Sequence, residues 1–235
     1  MITPCISNRT RRPLARAGLF ALGALFLSAA GFAAKEPPAE WDGLKRVASN
    51  QVDHLYKLPD ATLSAYNAVK LDPVMVEFDK NWNPNRSGGS LQGRVTNEDM
   101  EKIKSNLASA FQETFTSDLS NAGYKVVNED GSNVLRVSAA IANLYITAPQ
   151  KATSQNIKSY TTETGRMTLV AELRDSVTNQ LLARAVDTQQ GRESHNFMLT
   201  TSAANSADAT RAISEWAGVL VKALDAARSS KTHAE

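Results

Sequence analysis

Between residues 96 and 123 the spacing of apolar side chains changes from twos to threes and fours, and this change constrains the fold more than any other feature. Met100, Ile103, Leu107, Phe111, Phe115 and Leu119 make one stripe of an amphipathic helix. Thr96 and Asp99 supply a capping-box pair at its start, Glu98 and Asp99 complement the positive helix end, and Gly123 marks the stop. On both sides the pattern alternates. Tyr66 to about Phe78 reads as strand, "YKVVNEDGSN" as a short strand ending in a turn at Asp130-Gly131, and 134–148 as a long strand with Leu135, Val137, Ala139 and Ile141 on one face. "RMTLVAELRD" and "LLARAVDTQQG" alternate likewise, joined by the hairpin turn "SVTNQ". A last helix carries Ile213, Trp216, Leu220 and Leu224 behind a start signature at Asn205 and Asp208. One strand, a helix, four strands and a helix predict an α+β two-layer sandwich, a mainly antiparallel sheet with two helices packed on one face.

The N-terminus speaks about compartment. Arg9, Arg11, Arg12 and Arg16 precede an unbroken run of apolar or small residues, Ala17 to Ala34, and the polar "KEPPAEWDG" follows. These are the charge, apolar region and small-residue cleavage site of a secretory signal peptide, with a cut after Ala33 or Gly31. The run approaches the roughly 18 apolar residues of a spanning helix, but its Ala/Gly/Ser-rich end favours cleavage over retention as an anchor. The twin arginine of "TRRPLAR" is compatible with folded export; the strongly apolar run suits the general secretory route better. Of 26 Lys+Arg and 24 Asp+Glu, four arginines and no acid leave with the segment, so 22 basic face 24 acidic side chains afterwards. No polybasic footprint for nucleic acid remains. The single cysteine, Cys5, lies before the apolar run and cannot be a lipid-accepting residue. The mature chain then has no disulfide, thiol nucleophile or cysteine metal site, and is held by its core.

Little in the sequence points to catalysis. His54, His195 and His233 stand in no metal-binding spacing. No G-x-S-x-G elbow, S-x-x-K set or P-loop occurs, and Gly88-Gly89 sits in the loop "DKNWNPNRSGGSLQGR" without a following Lys-Ser/Thr. The pairs Asp72/Glu77, Glu98/Asp99 and Glu172/Asp175 suit glycosidase-type chemistry only where a groove brings two carboxylates together. Glu77 and Glu172 alternate with apolar residues and read as a solvated strand face. No catalytic residue, cofactor or metal is expected. Trp41, Tyr56, Tyr66, Phe78 and Trp82 cluster in the first half of the mature chain, as aromatic anchors or a stacking surface. Trp82, in an Asn/Gly-rich loop, is expected to be partly exposed.

The stretch "LSAYNAVKLDPVMVEFDKNW" (63–82) breaks its own alternation. Val69 and Leu71 keep step, Asp72-Pro73 intervenes, and Val74, Val76 and Phe78 resume one residue out of phase. Proline removes a ladder donor, and a slip of one residue is what a β-bulge or an edge-strand break produces. Such a break keeps apolar residues on one core face, with Asp72 capping the freed backbone amides. With its lead, this stretch resembles the hallmark segment of the bacterial domain-of-unknown-function 3313 family. Asp53, Tyr56 and Pro59 match a D-x-x-Y-x-x-P-like lead, Leu63, Tyr66, Val69, Leu71, Asp72, Pro73 and Val74 the core, and Phe78 and Trp82 an F-x-x-x-W ending. The resemblance implies an exported envelope protein, since many members are lipoproteins, and carries no established activity. It makes Tyr56, Tyr66, Asp72, Pro73, Phe78 and Trp82 signature residues of mostly structural role. The hairpin "LVAELRDSVTNQLLARAVD" is similar to that of envelope accessory proteins built like the periplasmic domain of the curli secretion channel. Asp175 and Thr178 then shape the turn, and Asn179 takes a left-handed position.

These readings divide the chain into a signal peptide (1–33), an extended leader (34–62), a single α+β domain (63–228) and a flexible tail (229–235). They point to an exported, non-enzymatic accessory or assembly protein of a Gram-negative envelope. Its place is the periplasm or the outer-membrane periphery, peripheral membrane association included, and it acts by binding an envelope protein partner. The alternatives are a periplasmic hydrolase of cell-wall material and a carrier of a small ligand or lipid under the Met100–Leu119 helix. Sheet edges and the loops at 79–94 and 149–165 are the expected contact surfaces.

Overall fold

The computed structural model describes residues 37–85, 94–146, 165–191 and 202–232. The signal segment read at 1–33, Gly88-Gly89, residues 149–164, His195 and His233 lie outside the described residues.

Helix α1 (Asn97–Asn121) forms where its stripe predicts. The Thr96 hydroxyl accepts from the Asp99 amide at 3.1 Å, and the Asp99 carboxylate accepts from the Thr96 amide at 2.9 Å, closing the capping box. Gly123 follows the helix at φ +83°, a left-handed conformation that side chains resist. Leu107, Phe111, Phe115 and Leu119 are its buried face. Helix α2 (Ser202–Thr232) buries Ile213, Trp216, Ala217 and Leu224. It runs on through 229–232, residues read from the sequence as tail.

The strands are β1 (Glu40–Trp41), β2 (Leu44–Val47), β3 (His54–Lys57), β4 (Ala68–Leu71), β5 (Met75–Phe78), β6 (Lys125–Val126), β7 (Val134–Tyr145), β8 (Arg166–Asp175) and β9 (Leu181–Gln190). Among the described residues they make one nine-stranded sheet in the order β1-β2-β3-β9-β8-β7-β4-β6, with β5 also on β7. Pairing from β1 to β7 along this order is antiparallel. β4 and β5 run parallel to β7, and β6 runs parallel to β4. Parallel neighbours need a crossover, and α1 supplies it between β5 and β7.

Alternation sorts the sheet into two faces. Leu135, Val137 and Ile141 of β7 join Met167 and Leu169 of β8 in one core with Phe111 and Phe115 of α1 and Ile213 and Trp216 of α2. The architecture is the α+β two-layer one expected, with both helices on one face of a mostly antiparallel sheet. Arg136, Ser138, Glu172 and Arg184 alternate with these core residues, and their pairings Ser138↔Glu172 and Glu172↔Arg184 place them together on the opposite face.

Residues 40–57, expected as an extended leader, form three strands of the sheet. Asp42-Gly43, at φ +53° and +79°, make the two-residue turn between β1 and β2 that an Asp-Gly pair favours. β3 then pairs with β9. Trp41 meets Tyr56 edge-on at 5.6 Å, and the Tyr56 hydroxyl donates to the Pro38 carbonyl at 3.1 Å. Leu44 and Tyr56 are fully buried.

The broken register resolves into geometry. Leu71 pairs with Val137 and Met75 with Ala140, so four steps along β4–β5 answer three along β7. The extra residue lies at the Asp72-Pro73 break. Val69 and Leu71 before it and Val76 after it therefore reach the same core although their positions differ in parity.

Candidate functional site

The signature residues fasten this bent edge to the rest of the sheet. Arg136 Nε donates to both Asp72 carboxylate oxygens, at 3.0 and 2.8 Å, and the Ser138 hydroxyl donates to one of them. Asp72 was expected to cap freed amides; the structure corrects this. Its own amide donates to the Val137 carbonyl at 2.9 Å, so the ladder is kept at the break and the carboxylate turns to side chains of β7.

Tyr66, buried, donates its hydroxyl to Asp175 Oδ2 at 2.9 Å. Burial first, and then the Asp175 carboxylate, push this phenol up to about 12. On the other side Asp175 Oδ1 accepts from the Val177 amide and from the Thr178 amide and hydroxyl. The Thr178 donors and the Tyr66 hydroxyl hold the Asp175 carboxyl below the usual carboxylate range. Asn179 takes φ +59°, the left-handed position the turn requires.

Further along the signature the rings of Phe78 and Trp82 stack, 4.2 Å apart and 7° from parallel. Trp82 is half-buried, and its Nε1 donates to the Ile146 carbonyl at 2.7 Å. Asp79 between them accepts from the Asn81 amide at 2.8 Å and from Arg166 Nη2 at 2.6 Å. These contacts, the Asn81 amide foremost, hold the Asp79 carboxyl below its usual range. Arg166 also lies over the Tyr145 ring at 5.4 Å.

Ile146 and Arg166, which this corner holds, line a cavity of about 410 Å³. It opens where the ends of β7, β8 and β9 meet the first halves of α1 and α2. Its wall is mostly apolar, with Ile103, Leu107 and Ala110 from α1, Ala212 from α2 and Met167 from β8. Gly165 and Gly191 also line it. The Gly191 amide donates to the Gly165 carbonyl at 2.7 Å, and a Cβ on Gly191 would stand 3.2 Å from Asp208 Oδ2.

The sequence-level carboxylate pairs do not converge. Glu98 and Asp99 sit in the first turn of α1. Glu77 is exposed, four residues beyond the Asp72-Pro73 break. Glu172 corrects the solvated-face reading, for its side chain is only 5% exposed. Arg184 donates to it at 2.6 and 3.0 Å and Arg174 at 2.7 and 3.1 Å. Arg184 also reaches Asp42 at 2.7 Å and packs against the Trp41 ring at 4.2 Å. Asp175 faces the helices, away from Glu172. His54 lies on β3, with its Nδ1 buried and without a hydrogen-bond partner. Among the described residues no group of three or more His, Cys, Asp and Glu side chains could hold a metal ion, and no helix is long and apolar enough to cross a membrane.

Sequence reasoning missed the residues of the cavity. Their signal was weak: strand ends and helix starts flanking two polar loops. It also missed the Glu172–Arg184 pair, although both are charges set among apolar neighbours on partner strands.

A family model described as "Protein of unknown function (DUF3313)" matches residues 29–220. No curated protein sequence matches the chain. Among solved structures, the chain is similar to the PelC dodecamer from Paraburkholderia phytofirmans, at 11% identity and a TM-score of 0.34, over 68% of this chain and 92% of that one. It is also similar to protein XCC0632 from Xanthomonas campestris, at 15% identity and a TM-score of 0.39, over 73% of this chain and 92% of that one.

Proposed function

The chain belongs to the DUF3313 family of proteins of unknown function, and from that premise we propose that it is an exported accessory or assembly protein of the bacterial cell envelope that works by binding, not by catalysis. Residues 1–33 direct export and are removed, and the remainder acts in the periplasm or at the periphery of the outer membrane. The observation that supports binding is the open, mostly apolar cavity between α1, α2 and the strand ends. A concave, mostly apolar recess with a few polar groups is the usual form of a binding site. The carboxylates that the sequence offers for hydrolysis, Asp72, Glu172 and Asp175, are tied elsewhere to arginines, backbone amides and a tyrosine, and Asp208, a carboxylate lining the cavity, is paired with Arg211. The same cavity, lying under α1, favours the carrier alternative over the hydrolase and supplies the place where an apolar group of an envelope component is held.

A photo-crosslinking amino acid at Asn106, on the cavity rim, tests this in the bacterium, with Lys222 on the exposed side of α2 as the control. The expected result is an envelope component captured from position 106 and not from position 222, by a shortened chain in the periplasmic fraction. Identical capture from both positions, or none, overturns the binding reading. A full-length chain confined to the cytoplasm overturns export.

A further inference from the structure

The charge around the cavity says what kind of ligand suits it. Among the described residues two charged side chains line it, Arg166 and Asp208, and each already has an opposite partner, Asp79 at 2.6 Å and Arg211 at 3.5 Å. The other polar groups there are uncharged, among them Asn106, Gln189, Gln190 and Thr210. Against these residues an ionic head group would lose water without meeting an unpaired opposite charge.

Behind the wall stands a buried anion. Asp187, 5% exposed, accepts from Trp216 Nε1 at 2.7 Å, from the Asp53 amide at 3.1 Å and from Gln189 Nε2 at 2.9 Å. None of these donors is a cation. A carboxylate only accepts hydrogen bonds, so the Gln189 amide nitrogen faces Asp187, and the acceptor that this cavity-lining side chain has left to offer is its carbonyl oxygen. The wall thus disfavours a second anion and welcomes a hydroxyl donor. The volume, about 410 Å³, lies low in the roughly 300–1,000 Å³ span of small-molecule sites, which suits one chain rather than two.

We propose that the cavity binds a neutral, hydroxyl-bearing amphiphile with a single acyl chain, the chain lying between Leu107 and Ala110 of α1 and the strand ends and the hydroxyl head at Gln189. This rests on the binding reading above and names the ligand class of the same site.

The test uses the full mature chain stripped of lipid, titrated calorimetrically with monolaurin and with laurate at about pH 8. Monolaurin is expected to bind, and laurate about ten-fold more weakly or worse, as befits an unpaired charge at a partly desolvated site. Ala110→Phe fills the cavity and is expected to lose monolaurin binding while keeping the circular dichroism spectrum and melting temperature of the parent. Gln190→Lys, at an exposed rim position, is expected to raise laurate affinity and narrow the gap. A folded Ala110→Phe protein that binds monolaurin unchanged shows that this cavity is not the site, and the inference falls. Laurate binding as tight as monolaurin overturns the neutral head. No binding of either overturns the ligand class, while capture of an envelope component from position 106 still stands or falls by itself.

Discussion

The hydroxyl of Tyr66 donates to the carboxylate of Asp175 across 109 residues of sequence, at 2.9 Å. This bond joins the segment that leads into β4 to the turn between β8 and β9. The Asp175 carboxylate closes the turn through one oxygen and receives Tyr66 through the other. The β8–β9 hairpin and the bent edge of the sheet are therefore set by one shared side chain.

Tyr66→Phe removes that bond and leaves the turn its Thr178 donors, so the expected loss is about 1 kcal/mol in urea unfolding. The variant also changes alkaline behaviour. The folded phenols of Tyr66 and Tyr124 are raised to about 12, chiefly by burial and then by Asp175 and Asp225 respectively. A raised pKa gives stability that is complete below the ordinary tyrosine value of about 10 and is lost as pH climbs towards 12. Unfolding free energies measured from about pH 9 to 12 are expected to fall less steeply in Tyr66→Phe than in the parent. Equal slopes would count against the assignment.

Much of this framework was legible because local rules agreed with the fold. The α1 stripe, the Thr96–Asp99 capping box, the Asp175–Thr178 turn and the slip at Asp72-Pro73 are each decided within a few residues. The parallel pairing of β4 and β5 with β7 was not, since the alternation of a short strand is the same for either direction. Residues 40–57 hid three strands because Trp41, Leu44 and Tyr56 are spaced by charges. Even so, Asp42-Gly43 was a readable hairpin signal. The cavity is where sequence had least to say, for it is made by strand ends and helix starts that only the tertiary fold brings together.

Asp72 offers a direct comparison of two substitutions. Asp72→Asn keeps an oxygen for Ser138 and Arg136 but gives up the charge, and is expected to lose about 1 kcal/mol. Asp72→Ala leaves Arg136 and Ser138 without their acceptor and is expected to lose roughly twice as much. Chemical denaturation of both proteins checks the order. If neither loses stability while envelope capture from position 106 disappears, Asp72 belongs to the binding machinery instead.

Glu172 is buried between Arg174 and Arg184, so Glu172→Gln leaves the buried Arg184 only the exposed Asp42 as a counter-charge. The expected loss is about 3 kcal/mol, the low end of the range for breaking a buried pair from one side. Glu172→Leu combined with Arg184→Leu removes both buried charges and is expected to cost less than Glu172→Gln alone. A double variant as unstable as the sum of its single substitutions contradicts this coupling.

Asp79 ties the signature to the cavity rim, and acid should expose that tie. Its carboxyl is held below the ordinary range by the Asn81 amide and the Arg166 guanidinium. A depressed folded pKa gives stability that is present above the ordinary aspartate value of about 4 and is lost as pH falls through the folded value. Asp79→Asn is therefore expected to be less stable than the parent near neutral pH, with the two stability curves converging as pH falls below about 4. Freed from Asp79, the Arg166 guanidinium would become an unpaired cation at the cavity mouth. The same variant is thus expected to bind laurate more tightly than the parent does. Urea midpoints from about pH 7 to 2, together with laurate titration at neutral pH, check both statements. Stability curves that stay parallel down to the lowest pH would show that Asp79 is not held by this pair.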